Sequence, residues 1–118
     1  VFSYYFSQSA LKDIIEVLAW SEDKFGVRAR LRYEELIEAA IRDIVKDSSR
    51  LGIKSRPELG SKIKTYHLTC SRKHVRDSSP IVKKPRHIIV FRFVSDKQIE
   101  IVRVLHDAME IKKHLPDD

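Results

Sequence analysis

Residues 86–115, RHIIVFRFVSDKQIEIVRVLHDAMEIKKHL, alternate apolar runs with short polar breaks. The run His87–Val94 (HIIVFRFV) is the most hydrophobic in the chain, so it reads as a central strand. Ser95–Gln98 is a turn, and Ile99–Leu105 (IEIVRVL) is the antiparallel partner. Asp107–Leu115 reads as a short helix in which Met109 neighbours Lys112 and Ile111 neighbours Leu115. Pro116 stops it, and Asp107 stands where it can cap the first turn.

Upstream, Val1–Ser7 (VFSYYFS) is aromatic and weakly alternating, which predicts a first strand. Ser7 or Ser9 then offers an N-cap oxygen. Leu11, Ile14, Ile15 and Leu18 recur with helical spacing, placing a helix over about 9–24, with Val17 and Trp20 off that stripe. Gly26 falls where a helix ends in a left-handed residue. A second helix follows over about 27–47, with the stripe Tyr33, Ile37, Ala40, Ile41 and Ile44, widened by Leu36 and Val45. Two helices joined at a glycine fold back on each other as a hairpin. Residues 48–61, punctuated by Gly52, Pro57 and Gly60, read as a connector. Lys62–Leu68 alternates as a strand. The basic stretch from Cys70 to Pro85 predicts a short strand near Lys73–Val75, then a long loop. One strand, two helices, several strands and a short helix define an α+β domain: a helical hairpin over a mainly antiparallel sheet.

Composition adds the charge. The 118 residues carry a net charge of +6, with 42% hydrophobic positions, as expected of one globular domain over 1–118. Residues 8–49 hold nine acids and seven bases, whereas 61–94 hold nine bases and one acid. That asymmetry marks 61–94 as a candidate field for nucleic acid or an acidic partner. The one cysteine, Cys70, excludes an internal disulfide. No apolar run reaches the ~20 residues that span a bilayer, and the opening lacks a basic signal region, so a cytoplasmic protein with no membrane partner is expected. The histidines at 67, 74, 87, 106 and 114 show no metal-ligand spacing, and no glycine-rich phosphate loop exists. No metal or other cofactor is expected.

Four stretches, in this order, resemble the RelE/ParE toxins of bacterial type II toxin–antitoxin pairs, and the ParE branch most closely. They are Phe25–Gly26 between the helices, TYHLTCSRK (Thr65–Lys73), KPRHIIVFR (Lys84–Arg92) and RVLHDAMEIKKHL (Arg103–Leu115). The resemblance implies a toxin silenced by a ParD-like antitoxin that wraps the helical hairpin and the sheet. On that reading the antitoxin surface comprises Leu11, Ile14, Val17, Leu18, Trp20, Tyr33, Ile37, Arg92 and Arg103. ParE-type toxins poison DNA gyrase, whereas RelE-type relatives cut messenger RNA on the ribosome, and one fold serves both. The candidate target surface is Arg103, His106, Asp107, Met109, Lys112 and Lys113.

A metal-free ribonuclease needs a proton acceptor, a proton donor and cations for the phosphate. Its candidates here are Arg86, Arg92, Arg103 and His106, with His87 as a second imidazole. The sequence Leu105-His106-Asp107 instead places an acid where RelE-like nucleases are basic. No tyrosine follows Tyr66, and the last residues are Pro116-Asp117-Asp118. The resemblance therefore favours inhibition by binding over catalysis. Arg103 shares the side of Ile99 and Ile101 and is expected at the edge of a buried surface, paired with an acid such as Glu110 or with an antitoxin carboxylate.

Overall fold

The computed structural model describes residues 2–75 and 81–116. Strand β1 (Ser3–Phe6) leads into helix α1 (Gln8–Phe25), and helix α2 (Val27–Lys46) follows after Gly26 alone. Strands β2 (Lys54–Ser55), β3 (Ile63–His67), β4 (His87–Phe93) and β5 (Gln98–His106) complete an α+β fold. The sheet order is β1-β5-β4-β3-β2, antiparallel except for the parallel β1–β5 pair.

Local chemistry explains the hairpin. The Ser7 hydroxyl accepts from the Ala10 amide at 2.9 Å and caps α1. Gly26, at φ +94°, closes α1 and opens α2, a turn that a side chain would strain. The stripe of α2 is buried as expected, with Leu36, Ile37, Ala40, Ile41 and Ile44 in the main core. The buried face of α1 differs from the expected one. It is Ala10, Asp13, Leu18 and Ser21, while Leu11 is 46% and Ile15 67% exposed. Ala10, Asp13 and Ser21 bring the helix against the core beside Leu18, while Leu11, Ile15 and Trp20 turn outward.

Both sheet faces are covered. The helices sit on Tyr66, Ile89, Phe91, Ile99, Ile101 and Val104. The opposite face gathers Ile63, Val90, Val102 and Leu105, with Leu59, Ile111 and Leu115 packed against them. The C-terminal tail is therefore a small second layer.

Four expectations need correcting. The 48–61 connector contains β2 and a 3₁₀ turn at Pro57–Leu59, because Lys54 and Ser55 find partners in Thr65 and Lys64. Lys73–Val75 is no strand. A 3₁₀ turn, Leu68–Ser71, precedes it and leads the chain off the sheet edge. The later part of that stretch, 76–80, lies outside the described residues, as do Val1, Asp117 and Asp118. The expected helix at Asp107–Leu115 is a turn followed by a 3₁₀ segment, Ile111–His114, which Asp107 does not cap.

The fourth correction concerns Arg103. Val90 pairs with Arg103 but Phe91 pairs with Ile101, so Val102 is an extra residue in β5. Such a bulge breaks the two-residue alternation. Arg103 therefore does not continue the Ile99–Ile101 row, and the acid it pairs with is Asp13 rather than Glu110.

Candidate functional site

Where β1 ends, side chains of α1 take over its role at the β5 edge. The Ser7 hydroxyl donates to the Val102 carbonyl at 2.7 Å. Asp13 accepts from the Val104 amide at 3.0 Å and from two nitrogens of Arg103 at 2.7 and 2.8 Å. Arg103 also donates to the His114 carbonyl at 2.8 Å, which ties the tail to this joint. The bidentate carboxylate raises the guanidinium pKa further.

A second ion pair stands where β4 begins and β5 ends. Arg86 meets Asp107 at 2.9 Å, and His67 Nε2 reaches the same carboxylate at 3.0 Å. These hydrogen bonds, first from Arg86 and then from His67, hold the Asp107 carboxyl down at about 2. Beside them lies a buried polar chain. The Arg86 amide donates to the Tyr33 hydroxyl at 3.1 Å, and that hydroxyl lies 2.6 Å from His87 Nδ1. Burial pushes the Tyr33 phenol up to about 12. Burial, and then the neighbouring His106, pushes the His87 imidazole down to about 4. His87 is thus neutral at pH 7. The contact engages His87 Nδ1 and leaves Nε2 as the ring nitrogen open to another partner. The His106 ring packs edge-on against His87 with centroids 5.4 Å apart, and its Nδ1 accepts from the Ala108 amide at 3.0 Å.

The third arginine of the sheet, Arg92, is also paired, with Glu100 at 2.7 Å across the β4–β5 ladder. The nuclease candidates are therefore not a set of free cations. Arg86, Arg92 and Arg103 each hold a carboxylate, and His106 is separated from the Arg103 joint by two residues of β5.

The expected partner surface divides into three. Leu11, Ile14 and Ile37 line a groove of about 380 Å³ beside β1, with Tyr4, Phe6, Ile41, Glu34 and Glu38. Val17, Trp20 and Tyr33 line a larger groove of about 650 Å³ on the other side of the hairpin, with Phe25, Ile81, Val82, His87 and His106. Arg92 and Arg103 border a polar depression against the tail, with Lys113 and His114. Leu18 belongs to the main core. Of the remaining target candidates, Met109 and Lys112 are exposed on the tail and Lys113 pairs with Glu110 at 3.2 Å. The basic stretch 61–94 is likewise dispersed. Lys83, Lys84 and Arg86 line the larger groove, whereas Arg92 lines the polar depression.

A different polar cluster has the residue types of a hydrolase but not the order. The Asp43 carboxylate accepts from the Ser71 hydroxyl and lies 2.8 Å from His74 Nδ1 and 3.3 Å from Arg50. The acid stands between serine and histidine, and Ser71 is fully buried. The cluster fastens the 3₁₀ turn to α2 and leaves the serine without a base. Among the described residues no three His, Cys, Asp or Glu side chains converge as a metal site, and no helix is long and apolar enough to cross a membrane.

Sequence reasoning missed Asp13 and His67, and read Tyr33 only as part of a helical stripe. Asp13 carried one legible signal: a carboxylate at position i−1 of the Ile14–Ile15 pair, on the side of α1 nearest the core.

The chain is a small α+β domain with a helical hairpin, a covered sheet and three paired arginines. The chain matches the family model of the ParE toxin of type II toxin–antitoxin system, parDE, over residues 4–111. It belongs to that family and is a type II toxin whose system includes an antitoxin partner. No curated relative matches the chain.

Proposed function

We propose that this chain, as one toxin domain over 1–118, inhibits DNA gyrase in the cytoplasm by direct binding and is silenced by a ParD-like antitoxin. The observation that carries the choice of binding over RNA cleavage is the pairing of all three sheet arginines: Arg86 with Asp107, Arg92 with Glu100 and Arg103 with Asp13. A cation already neutralised at 2.7–2.9 Å has little left for a phosphate in a transition state. The family supplies the partner, and the exposed tail residues Met109 and Lys112 supply a target surface away from the helical hairpin.

For the antitoxin the groove of Leu11, Ile14 and Ile37 is the best seat. It is apolar at its floor, and α1 turns Leu11 and Ile15 outward beside it. An amphipathic helix laid there buries both. The test of inhibition is gyrase supercoiling with purified chain. Loss of supercoiling is expected, and unaffected gyrase at saturating chain overturns the reading. For the antitoxin, Leu11→Glu with Ile14→Glu is expected to weaken binding about a hundredfold, since two apolar contacts worth ~1.5 kcal/mol or more each become buried charges. Unchanged affinity places the partner elsewhere.

A further inference from the structure

The larger groove, on the far side of the hairpin, has a chemistry that the antitoxin seat lacks. Its wall is aromatic: Trp20 is 54% and Phe25 67% exposed, with the rings edge to face at 5.6 Å. Its polar floor holds two imidazole rings beside the hydroxyls of Ser21 and Tyr33. Tyr33 and the Ala108 amide occupy the Nδ1 atoms of His87 and His106, so the Nε2 atom of each ring has no partner among the described residues. At its rim Arg32, Lys83 and Lys84 have no carboxylate partner among the described residues, and no described carboxylate lines the groove. Asp107, beside Arg86 at one corner, is engaged by Arg86 and His67, and Glu35 belongs to an adjoining depression that shares Arg32, Ile81 and Val82 with the groove.

We propose that this groove binds a nucleotide, with the base against Trp20, its ring nitrogens towards His87 and His106, and its phosphate between Lys83 and Lys84. The volume, about 650 Å³, lies within the range of small-ligand pockets. Each part of the ligand answers one feature. A flat base uses the aromatic wall, as stacking on tryptophan is indifferent to base identity. The ring nitrogens and exocyclic groups of a base match the open Nε2 atoms of His87 and His106. The phosphate answers the unpaired cations. Inorganic phosphate leaves the aromatic wall unused, and an uncharged aromatic leaves the rim unused. An acidic peptide matches the rim but places no heterocycle, flat and hydrogen-bonding at once, between the aromatic wall and the imidazoles.

Trp20 is the only tryptophan, so its fluorescence reports the groove directly. The purified chain is titrated with AMP, adenosine, inorganic phosphate, a single-stranded hexanucleotide and an aspartate-rich peptide containing phenylalanine. Saturable quenching by AMP is expected, with adenosine at least about tenfold weaker and phosphate silent. The Lys83→Ala/Lys84→Ala variant, changed only at exposed positions, is expected to lose about tenfold for AMP and nothing for adenosine. A hexanucleotide that binds over about tenfold more tightly than AMP identifies a strand as the source, and equal affinity identifies the free nucleotide. Absence of quenching by every nucleotide at millimolar concentration overturns the proposal. So does saturation by the peptide alone, or an AMP affinity that the double variant leaves unchanged. The outcome is independent of any gyrase result.

Discussion

Two arginine–carboxylate pairs brace β5, one near its middle and one at its end, and they differ in what surrounds them. Arg103–Asp13 joins residues 90 positions apart, with side chains only 21% and 10% exposed. It also supplies the missing partner of the Val104 amide and the anchor of the tail. Arg86–Asp107 is more open on the arginine side, at 59%, and its carboxylate is shared with His67. The first pair is a joint between α1, β5 and the tail. The second fixes one corner of a groove. The same chemistry thus serves cohesion where water is excluded and orientation where it is not.

The comparison breaks most sharply at Asp13. Asp13→Ala strands the Arg103 charge and the Val104 amide together, and about 3–5 kcal/mol of stability is expected to go, read from urea unfolding. Adding Arg103→Met is expected to return part of that loss. A double variant no better than the single one shows that the amide, not the charge, dominates.

At the groove end the costly group is His87 rather than the ion pair. Its pKa is about 4 folded, against an ordinary value of 6.5. Below pH 6.5 the unfolded chain takes up the proton before the folded one does, so stability falls as pH drops, until about pH 4. The shift corresponds to at most ~3 kcal/mol. His87→Gln is expected to flatten that limb of the pH–stability curve. A limb of the same slope in the variant assigns it to other groups.

The smallest effect is expected from Asp107→Asn. Asp107 is held at about 2, so its contribution is complete above its unfolded value near 4 and disappears only as pH falls towards 2. At pH 7 the variant is expected to melt close to the parent, because Arg86 returns to water. A loss as large as that of Asp13→Ala erases the distinction between the two pairs.

The helical hairpin was legible because its signals are local: a serine cap, a glycine stop and the Ile37–Ile41–Ile44 stripe lie within 40 residues. The β4–β5 hairpin was legible for the same reason. The Val102 bulge was not, since an inserted residue leaves the apolar composition unchanged while it shifts the register, and Arg103 was misplaced in consequence. Asp107 has the composition of a helix cap. Arg86, 21 positions away, and His67, 40 positions away, claim it instead. The Tyr33–His87 bond spans 54 positions, and helix periodicity shows only that Tyr33 faces inward. The family motifs carried the fold and the class, but the division of the partner surface into three depends on how the hairpin crosses the sheet.

Strand β1 has its partner at the far end of the chain, with Ser3 opposite Gln98. On a ribosome adding roughly 5–20 residues per second, the first strand waits about 5–20 seconds for β5 to be made. The helical hairpin needs nothing beyond residue 46 and can form long before, with its core face still bare. Each new molecule therefore passes through an interval in which the residues of its helices have been made and those of β3, β4 and β5 have not. Anything that recognises the outer face of α1 has that interval as a head start over anything that recognises the finished tail.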